Sequence, residues 1–300
     1  MKEIVIISGK GGTGKTSVAA SFASLAAGRG VIVDCDVDAA DLHLILHPEI
    51  VETNLFRSGH KAVILTDKCT ECGRCLAFCR FGAIAKTTDL NNQPSYQVDP
   101  ISCEGCGVCV RVCPTKSISF PENLCGEWYV SLTRFGTLVH AILATGAENS
   151  GRLVTILRQK AKQLAETAKL DYVIIDGSPG IGCPVIASLT GATVALIVTE
   201  PTVSGAHDFQ RIAELTRKLK VPAMVCVNKW DINPKKAGEI RLHAETAGIA
   251  SAGNIRYDSA VTDAQRAGVS VIEYKDNDLA GDFRAVWQAM ELFTEKGENK

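Results

Sequence analysis

Short apolar runs rich in β-branched residues alternate along most of the chain with segments in which apolar residues recur every three or four positions. The first pattern is typical of strands buried on both faces, and the second is typical of helices that cover a sheet. The predicted strands are Lys2–Ser8, Val31–Asp34, Tyr172–Asp176, Val194–Thr199 and Ala223–Asn228. The predicted helices are Ser17–Gly28, Ser150–Lys169, His207–Lys220 and Leu279–Glu295. This alternation predicts an α/β fold with a doubly wound, mostly parallel sheet, whose ligands bind at the carboxyl ends of the strands.

One stretch, from about residue 60 to residue 124, interrupts the alternation and contains an internal repeat. The segment AVILTDKCTECGRC (Ala62–Cys75) is similar to YQVDPISCEGCGVC (Tyr96–Cys109). We therefore predict two domains. An α/β domain comprises residues 1–59 and 125–300, and a small pseudo-symmetric α+β domain is inserted at 60–124.

Charge and composition narrow the class of protein. The 300 residues include 32 Lys and Arg against 33 Asp and Glu, a net charge of −1, which argues against a basic surface for nucleic acid or anionic lipid. No apolar run approaches the roughly 18 residues that cross a bilayer, and the N-terminus reads as a strand rather than an export signal. We expect a cytoplasmic protein with neither nucleic-acid nor membrane partners.

Cysteine content is the exception in an otherwise ordinary composition. The chain has 12 cysteines, and eight of them lie between Cys69 and Cys113. In a large chain without an export signal this density indicates metal binding rather than a disulfide framework.

A glycine-rich loop follows the first predicted strand and opens the first predicted helix. The sequence GKGGTGKT (Gly9–Thr16) matches the phosphate-binding pattern G-x-x-x-x-G-K-[ST]. In such a loop the backbone N–H groups face a polyphosphate, Lys15 reaches its β and γ oxygens, and the Thr16 hydroxyl ligates Mg²⁺. The predicted nucleotide-binding residues here are Gly9, Lys10, Gly11, Gly12, Thr13, Gly14, Lys15, Thr16 and Ser17.

Acidic residues end two of the predicted strands. Asp34 and Asp36 follow the run VIV, and Asp176 ends the run YVIID. Clustered carboxylates beside a phosphate site are tolerable when Mg²⁺ and lysine are present, so we predict that Asp36 and Asp176 complete a magnesium site with Thr16. Gly180, in the loop after Asp176, is a candidate to contact the γ-phosphate through its N–H. The alternative for Asp176 is a cap at the end of a strand.

The sequence motifs alone do not decide which base the nucleotide carries. Asn228-Lys229-Trp230-Asp231 matches the guanine motif N-K-x-D, in which an aspartate accepts hydrogen bonds that adenine does not offer. A match of four residues is a weak signal.

The eight clustered cysteines form two copies of the spacing C-x₂-C-x₂-C-x₃-C, as in bacterial ferredoxins that hold two 4Fe-4S clusters. In such a run the fourth cysteine ligates the other cluster. The predicted ligands are therefore Cys69, Cys72, Cys75 and Cys113 for one cluster, and Cys79, Cys103, Cys106 and Cys109 for the other. Zinc and disulfides are the alternatives, but zinc is usually held by paired C-x₂-C units. Arg80 stands where a proline is usual in this run, and its charge would raise the potential of the nearby cluster unless it is solvated.

A second lysine in the phosphate loop, Lys10, makes this loop closely resemble that of the MinD/ParA/nitrogenase-iron-protein class. With the segments TRFGTLVHAILATGAENSGRLVTILRQKA, DGSPGIGCPVIASLTGA and TEPTVSGAHDFQRI, nearly the whole chain resembles MinD-superfamily P-loop ATPases that carry an inserted ferredoxin domain. The resemblance implies ATP, Mg²⁺ and two 4Fe-4S clusters as cofactors, and a homodimer formed on ATP binding. It implies that Lys10 reaches the partner's nucleotide and that Asn228 contacts adenine. It also implies that an aspartate positions the attacking water; we assign this role to Asp36, with Asp38 and Asp41 as the alternatives. The catalytic residues implied are Lys10, Lys15 and Asp36.

The predicted function is that of an ATPase whose nucleotide state controls electron or cluster transfer to an unidentified redox or metallocofactor protein. Two alternatives stay open: a carrier that delivers iron–sulfur or heterometal clusters, and a MinD/ParA-type switch in which the clusters are structural.

Several other residues have structural interpretations. We expect Cys183 to be a buried N-cap residue. The alternative is a metal site shared between subunits, with Cys125 as a second ligand. We expect Cys35 and Cys226 to be buried. We expect His43 and His47 to pack rather than bind metal. The last helix carries an apolar stripe that predicts core packing rather than membrane binding: Leu279, Phe283, Val286, Trp287, Met290 and Phe293.

Overall fold

The structure is a computed structural model that describes residues 1–88, 94–144, 146–147 and 151–297. Its strands are β1 (Lys2–Ile7), β2 (Gly30–Asp34), β3 (Glu49–His60), β4 (Val63–Ile64), β5 (Ile84–Thr88), β6 (Pro94–Val98), β7 (Ile118–Ser119), β8 (Glu122–Thr133), β9 (Gly136–Leu143), β10 (Tyr172–Asp176), β11 (Val194–Thr199), β12 (Ala223–Asn228) and β13 (Ala250–Ile255). Its α-helices are α1 (Lys15–Ala26), α2 (Leu42–Leu46), α3 (Arg74–Phe78), α4 (Val108–Val112), α5 (Gly151–Thr167), α6 (Cys183–Leu189), α7 (Val203–Lys218), α8 (Pro234–Thr246), α9 (Ala260–Arg266), α10 (Val271–Tyr274) and α11 (Asp278–Gly297). Short 3₁₀ turns cover Val37–Ala39, Thr66–Lys68 and Trp230–Ile232.

The chain divides into two compact units. The first comprises Met1–Asn54, Glu127–Leu143 and Glu148–Lys300, and the second comprises Leu55–Gly126 and Ala144–Ala147. Each unit has its own apolar core.

A large, mostly parallel sheet organises the first unit. Its strand order is β13-β12-β11-β1-β10-β2-β9-β8-β3, and β1 pairs in parallel with both β10 and β11. The five strands predicted from buried apolar runs are all present and buried. The α/β prediction with a mostly parallel sheet is therefore confirmed. Because neighbouring strands run the same way, β1, β2 and β10 end at one edge of the sheet, with Asp176 in register with Asp34.

The sheet is wider than the sequence predicted, because it also contains β13, β9, β8 and β3. The segment β13 includes a glycine and pairs with β12 through a register shift, so it lacks a continuous apolar run. The residues of β3 are mostly exposed. Strands of this kind give little of the buried pattern that sequence reading relies on.

Helix boundaries differ from prediction where a cap sets them. Helix α7 begins at Val203, four residues before the predicted His207, because the Thr202 hydroxyl accepts a hydrogen bond from the Gly205 N–H. Helix α1 ends at Ala26, since the backbone at Ala27 is left-handed. The predicted helix start at Ser150 lies outside the described residues, and α5 begins at Gly151.

The second unit contains two antiparallel strand pairs and two short helices. Strand β4 pairs with β7, and β5 pairs with β6. Helices α3 and α4 each begin after a glycine in the left-handed conformation, Gly73 and Gly107. These elements place the cysteine-rich repeat around a small core.

Core packing of the last helix is confirmed. Five stripe residues of α11 are buried, and Phe293 packs partly buried against the same core; the buried residues are Leu279, Phe283, Val286, Trp287 and Met290. Within the described part of the chain, no helix is both long enough and apolar enough to span a membrane.

Candidate functional site

Two glycines of the phosphate loop are required by close contacts. The loop connects β1 to α1, and Gly14, its last glycine, has a φ of 91° that side-chain-bearing residues rarely adopt. A Cβ atom at Gly14 would collide with the Asn228 amide, and one at Gly9 would collide with Asp208. The loop can therefore lie against β12 and α7 only with glycine at these positions.

A cavity of about 580 Å³ lies beside this loop, which is a usual size for a small-molecule site. The phosphate loop and the ends of several strands of the first unit form its walls. Its lining includes Gly11, Gly12, Thr13, Gly14, Lys15, Thr16, Ser17, Asp36, Asp38, Ser178, Pro179, Asn228, Lys229, Tyr257 and Gln265. The structure thus brings most of the predicted nucleotide-binding residues to one cavity.

Lys15 lies between two of the predicted carboxylates. Its Nζ donates to Asp36 Oδ2 at 3.1 Å and to Asp176 Oδ1 at 2.6 Å, and the lysine is 5% exposed. Burial alone would lower the pKa of Lys15, but the charges of Asp176 and Asp36 outweigh it and raise the pKa. Asp36 and Asp176 are 21 and 161 positions from Lys15 in the sequence, yet the three residues form one charged cluster at the ends of the strands.

The carboxylates of this cluster compete for positive charge. Burial, followed by the charge of Asp176, raises the pKa of Asp34 well above its ordinary value. Burial also raises the pKa of Asp36, although Lys15 opposes it. Within the described residues, Oδ2 of Asp34 and Oδ2 of Asp176 are buried without hydrogen-bond partners. Mg²⁺ prefers oxygen ligands, so the unpartnered Asp176 Oδ2, together with the Asp36 carboxylate and the Thr16 hydroxyl that line the cavity, fits a magnesium ion.

The second lysine of the loop, Lys10, makes contacts that the sequence did not predict. Its Nζ lies 3.2 Å from Glu200 Oε2 and donates to Ser204 Oγ at 3.3 Å. Glu200 also accepts from Lys229 at 2.5 Å. Burial would raise the pKa of Glu200, but Lys229 and Lys10 outweigh it and lower the pKa. Glu200 directly follows β11 and lies in the segment TEPTVSGAHDFQRI, but no role was predicted for it.

Two further predicted residues have hydrogen bonds within the protein. The Gly180 N–H donates to the Ser8 carbonyl at 2.8 Å, and Gly180 does not line the cavity. Asn228 does line it, while its amide donates to the Thr13 carbonyl at 2.7 Å. The Asp231 carboxylate of the guanine-type motif accepts from the Tyr257 N–H at 2.7 Å and does not line the cavity.

The eight clustered cysteines of the second unit surround two small cavities. One cavity is lined by Cys69, Cys72, Cys75 and Cys113, and the other by Cys79, Cys103, Cys106 and Cys109. The fourth cysteine of each repeat thus joins the first three of the other repeat. None of the twelve cysteines forms a disulfide bond. Among the described residues, no group of three or more His, Cys, Asp or Glu side chains is arranged to hold a single metal ion.

The donor set of each cavity fits an iron–sulfur cluster, because four thiols converge on it from two separate loops. Around Cys113, burial would raise the thiol pKa, but hydrogen bonds from Ser117 and Thr115 outweigh it and lower the pKa to about 7. Arg80 is exposed and lines neither cavity.

Outcomes for the remaining cysteines are mixed. The expectation that Cys183 is a buried N-cap was wrong, because Gly182 is the N-cap and Cys183 is the exposed first residue of α6. Cys35 and Cys226 are buried, as predicted. Cys125 is also buried, and its Sγ donates to the Ser58 carbonyl at 3.2 Å.

The predicted packing role is confirmed for His43 but not for His47, which is exposed at the C-terminal end of α2. The ring of His43 stacks 6.4 Å from that of His140, a buried residue of β9. His140 Nε2 lies 3.0 Å from Ser131 Oγ. Burial and the neighbouring His43 lower the pKa of His140 to about 4, so this ring is neutral at pH 7.

Comparison with known proteins agrees with this arrangement. The profile of the family described as "CobQ/CobB/MinD/ParA nucleotide binding domain" matches residues 4–271. An uncharacterized protein of Methanocaldococcus jannaschii, MJ0578, is 33% identical over 234 residues, which are 77% of this chain and 79% of that protein.

Two further proteins resemble this chain, one in a short segment of sequence and the other in fold. Subunit PorD of pyruvate synthase from Methanothermobacter marburgensis is 38% identical over 57 residues, which are 19% of this chain and 60% of that subunit. The septum site-determining protein MinD of Pyrococcus horikoshii, solved with Mg-ADP, superposes with a TM-score of 0.59 at 17% identity, covering 100% of this chain and 98% of that one. This last likeness concerns the fold alone.

Proposed function

Because this chain belongs to the CobQ/CobB/MinD/ParA family of nucleotide-binding proteins, we propose that it is an ATPase whose nucleotide state controls electron transfer through two 4Fe-4S clusters. The observation that carries the proposal is the presence in one chain of two sites. One is a phosphate loop with Lys15 and two carboxylates, and the other is a pair of four-thiol cavities.

Nucleotide binding would redistribute the contacts of Lys15. The β and γ oxygens of ATP offer Lys15 negative charge in place of Asp36 and Asp176, and the two carboxylates are then available to Mg²⁺ with Thr16. A magnesium ion held by these residues would supply positive charge to the phosphates. We assign to Asp36, which lines the cavity, the role of orienting the attacking water.

The geometry of the N-K-x-D segment favours ATP over GTP as the nucleotide. Recognition of guanine would require the Asp231 carboxylate to face the base. That carboxylate instead accepts the Tyr257 N–H and lies outside the cavity lining. Asn228, which lines the cavity, is the proposed contact to adenine.

The proposed active form is a homodimer in which Lys10 reaches the nucleotide of the other subunit. Lys10 is 35% exposed, and its partners Glu200 and Ser204 are in its own chain. Lys10 would exchange these contacts for phosphate oxygens of the partner's ATP and stabilise charge there as an arginine finger does.

The cysteine-rich segment, residues 60–124, is proposed to be an inserted ferredoxin domain. The grouping of its thiols into two crossed sets supports this, as does the partial similarity to PorD. The clusters would be permanent electron carriers, and the partner an as yet unidentified redox or metallocofactor protein.

Anaerobic purification followed by iron and sulfide analysis tests the first half of the proposal. We expect about eight irons and eight sulfides per chain, the content of two 4Fe-4S clusters. Zinc in place of iron would overturn it.

Coupling is tested by measuring ATP hydrolysis with the clusters oxidised and then reduced. We expect the rate to differ between the two states, with GTP a poorer substrate in both. Equal rates in both states would favour a nucleotide switch with structural clusters. Transfer of iron and sulfide to an apo-ferredoxin on ATP addition would favour a cluster carrier.

A further inference from the structure

The two halves of the cysteine repeat have the same backbone around their fourth cysteines. Cys79 and Cys113 each end a five-residue helix in extended conformation, and the residues three further on, Gly82 and Lys116, both have positive φ, 65° and 52°. The next residues, Ala83 and Ser117, are 2% and 1% exposed. Their carbonyls accept equivalent hydrogen bonds at 2.7 Å, from the N–H groups of Asp99 and Leu65. Ala83 and Ser117 are therefore matched positions in two copies of one turn.

The chemistry at these matched positions differs. The Ser117 N–H donates to Cys113 Sγ at 3.3 Å, and the Ser117 hydroxyl lies 3.2 Å from the same sulfur. Thr115 donates its hydroxyl proton to Ser117 Oγ at 3.2 Å, which leaves the Ser117 proton to point at Cys113. The Thr115 hydroxyl itself lies 3.7 Å from the sulfur. The N–H and the hydroxyl of Ser117 thus converge on a single sulfur atom.

In the other copy, the equivalent residues around Cys79 are apolar. Phe81 stands at the position of Thr115, and Ala83 at the position of Ser117, so neither offers a hydroxyl. Among the described residues, no hydrogen bond to the Cys79 sulfur is found. The carboxylate Glu104 also lines the cavity of Cys79, where Thr70 lines the other.

We propose that Ser117, supported by Thr115, sets the two iron–sulfur groups of the proposed ferredoxin domain at different reduction potentials, with the higher potential at the set containing Cys113. The inference rests on the proposed function, since it requires clusters in both cavities. Hydrogen bonds to a ligand sulfur stabilise the extra negative charge of the reduced state, whereas an apolar wall and a nearby carboxylate do the opposite. A single electron supplied by a low-potential one-electron donor would therefore reside mainly at the Cys113 set, with no bond made or broken.

The pseudo-symmetry supplies a reciprocal pair of variants for the test. Ser117→Ala gives the Cys113 turn the side chain of the other copy, and Ala83→Ser does the reverse. In an EPR-monitored redox titration of the anaerobically purified full chain, we expect Ser117→Ala to lower the higher of the two potentials and leave the lower one in place. We expect Ala83→Ser to raise the lower potential only. A change of about 59 mV in one of the potentials corresponds to a tenfold change in the ratio of reduced to oxidised cluster, since each is a one-electron couple.

Two further variants, Thr115→Val and Arg80→Gln, test whether the difference in potential arises from the hydrogen bonds of Ser117 or from the charge of Arg80. Thr115→Val should move the higher potential in the same direction as Ser117→Ala but by less, because Thr115 acts mainly through Ser117. Arg80→Gln should leave both potentials unchanged, since Arg80 is exposed and lines neither cavity.

Two equal potentials in the unmodified protein, or no response to either reciprocal variant, would overturn the inference. Failure of the proposed function is a separate result, because it appears earlier as absence of the two clusters from the iron and sulfide analysis. If Ser117→Ala lowers cluster content, Ala83→Ser still decides the question, since it adds a hydroxyl to a position that holds only a methyl group.

Discussion

Asp36 is the carboxylate whose removal should separate nucleotide binding from hydrolysis. It contacts Lys15 at 3.1 Å and lines the cavity, while Asp176 holds the same lysine at 2.6 Å. We expect Asp36→Ala to retain ATP binding, because the phosphate loop and Lys15 are untouched. Its turnover should fall about 10²- to 10³-fold, the usual cost of losing a group that orients or deprotonates the nucleophile. Binding of a fluorescent ATP analogue and phosphate release measure the two quantities.

Asp38 provides the matched control, because it is an exposed carboxylate that lines the same cavity. Asp38→Ala should hydrolyse ATP at close to the unmodified rate. Unchanged turnover in Asp36→Ala, or an equal loss in Asp38→Ala, would remove Asp36 from the proposed role.

His140 should make the stability of the protein depend on pH. Its pKa in the folded protein is about 4, below the roughly 6.5 of an exposed histidine. Between these two values the unfolded chain binds the proton more readily, so the free energy of unfolding falls as pH decreases from about 6.5 toward 4. We expect this histidine to contribute a loss of about 2 kcal/mol between pH 7.5 and pH 5.

Urea unfolding of His140→Gln at the two pH values measures that contribution. The variant should lose less stability on acidification than the unmodified protein, whatever its stability at pH 7.5. His207→Gln, which removes an exposed imidazole of α7 instead, is the matched control. An identical pH dependence in His140→Gln and the unmodified protein would contradict the prediction.

Helix α10 is a short element whose stability rests on its cap. The buried Ser270 hydroxyl accepts the Glu273 N–H, and the Glu273 carboxylate accepts the Ser270 N–H, which forms a capping box. Arg134 also donates to Glu273 and to the Ile45 and Leu46 carbonyls at the end of α2. We expect Ser270→Ala to cost about 1–2 kcal/mol in the free energy of unfolding. Ser259 precedes α9 without a side-chain cap, so Ser259→Ala should cost less than about 0.5 kcal/mol in the same assay.

The strands predicted from sequence are those buried on both faces, because only they carry an uninterrupted apolar run. The strands β3 and β13 are exposed or interrupted, and their place in the sheet depends on pairing rather than on local pattern. The same distinction applies to the site. The phosphate loop is a contiguous motif, so its residues could be read directly. Glu200 lies in a segment to which no chemical role was assigned, and its pairing with Lys10 arises only when the ends of β1 and β11 meet.

Nucleotide and electrons should influence each other reciprocally across the whole molecule. If ATP binding changes a reduction potential, reduction must change the affinity for ATP by the same free energy, since both describe one thermodynamic cycle. A non-hydrolysable ATP analogue that shifts one potential by about 59 mV should therefore bind about tenfold differently to reduced and oxidised protein. Redox titration with and without the analogue gives the first quantity, and calorimetric titration of the two redox states gives the second.

Lys10→Ala tests whether this coupling passes through the dimer. Because Lys10 is the residue proposed to reach the other subunit's nucleotide, the variant should still bind the analogue in one chain and keep both clusters. It should dimerise weakly, and the analogue should no longer shift either potential. A full shift in a monomeric Lys10→Ala variant would place the coupling within a single chain. Agreement of the two free energies in the unmodified protein, combined with loss of both in Lys10→Ala, would identify ATP-dependent pairing of subunits as the event that controls the electrons.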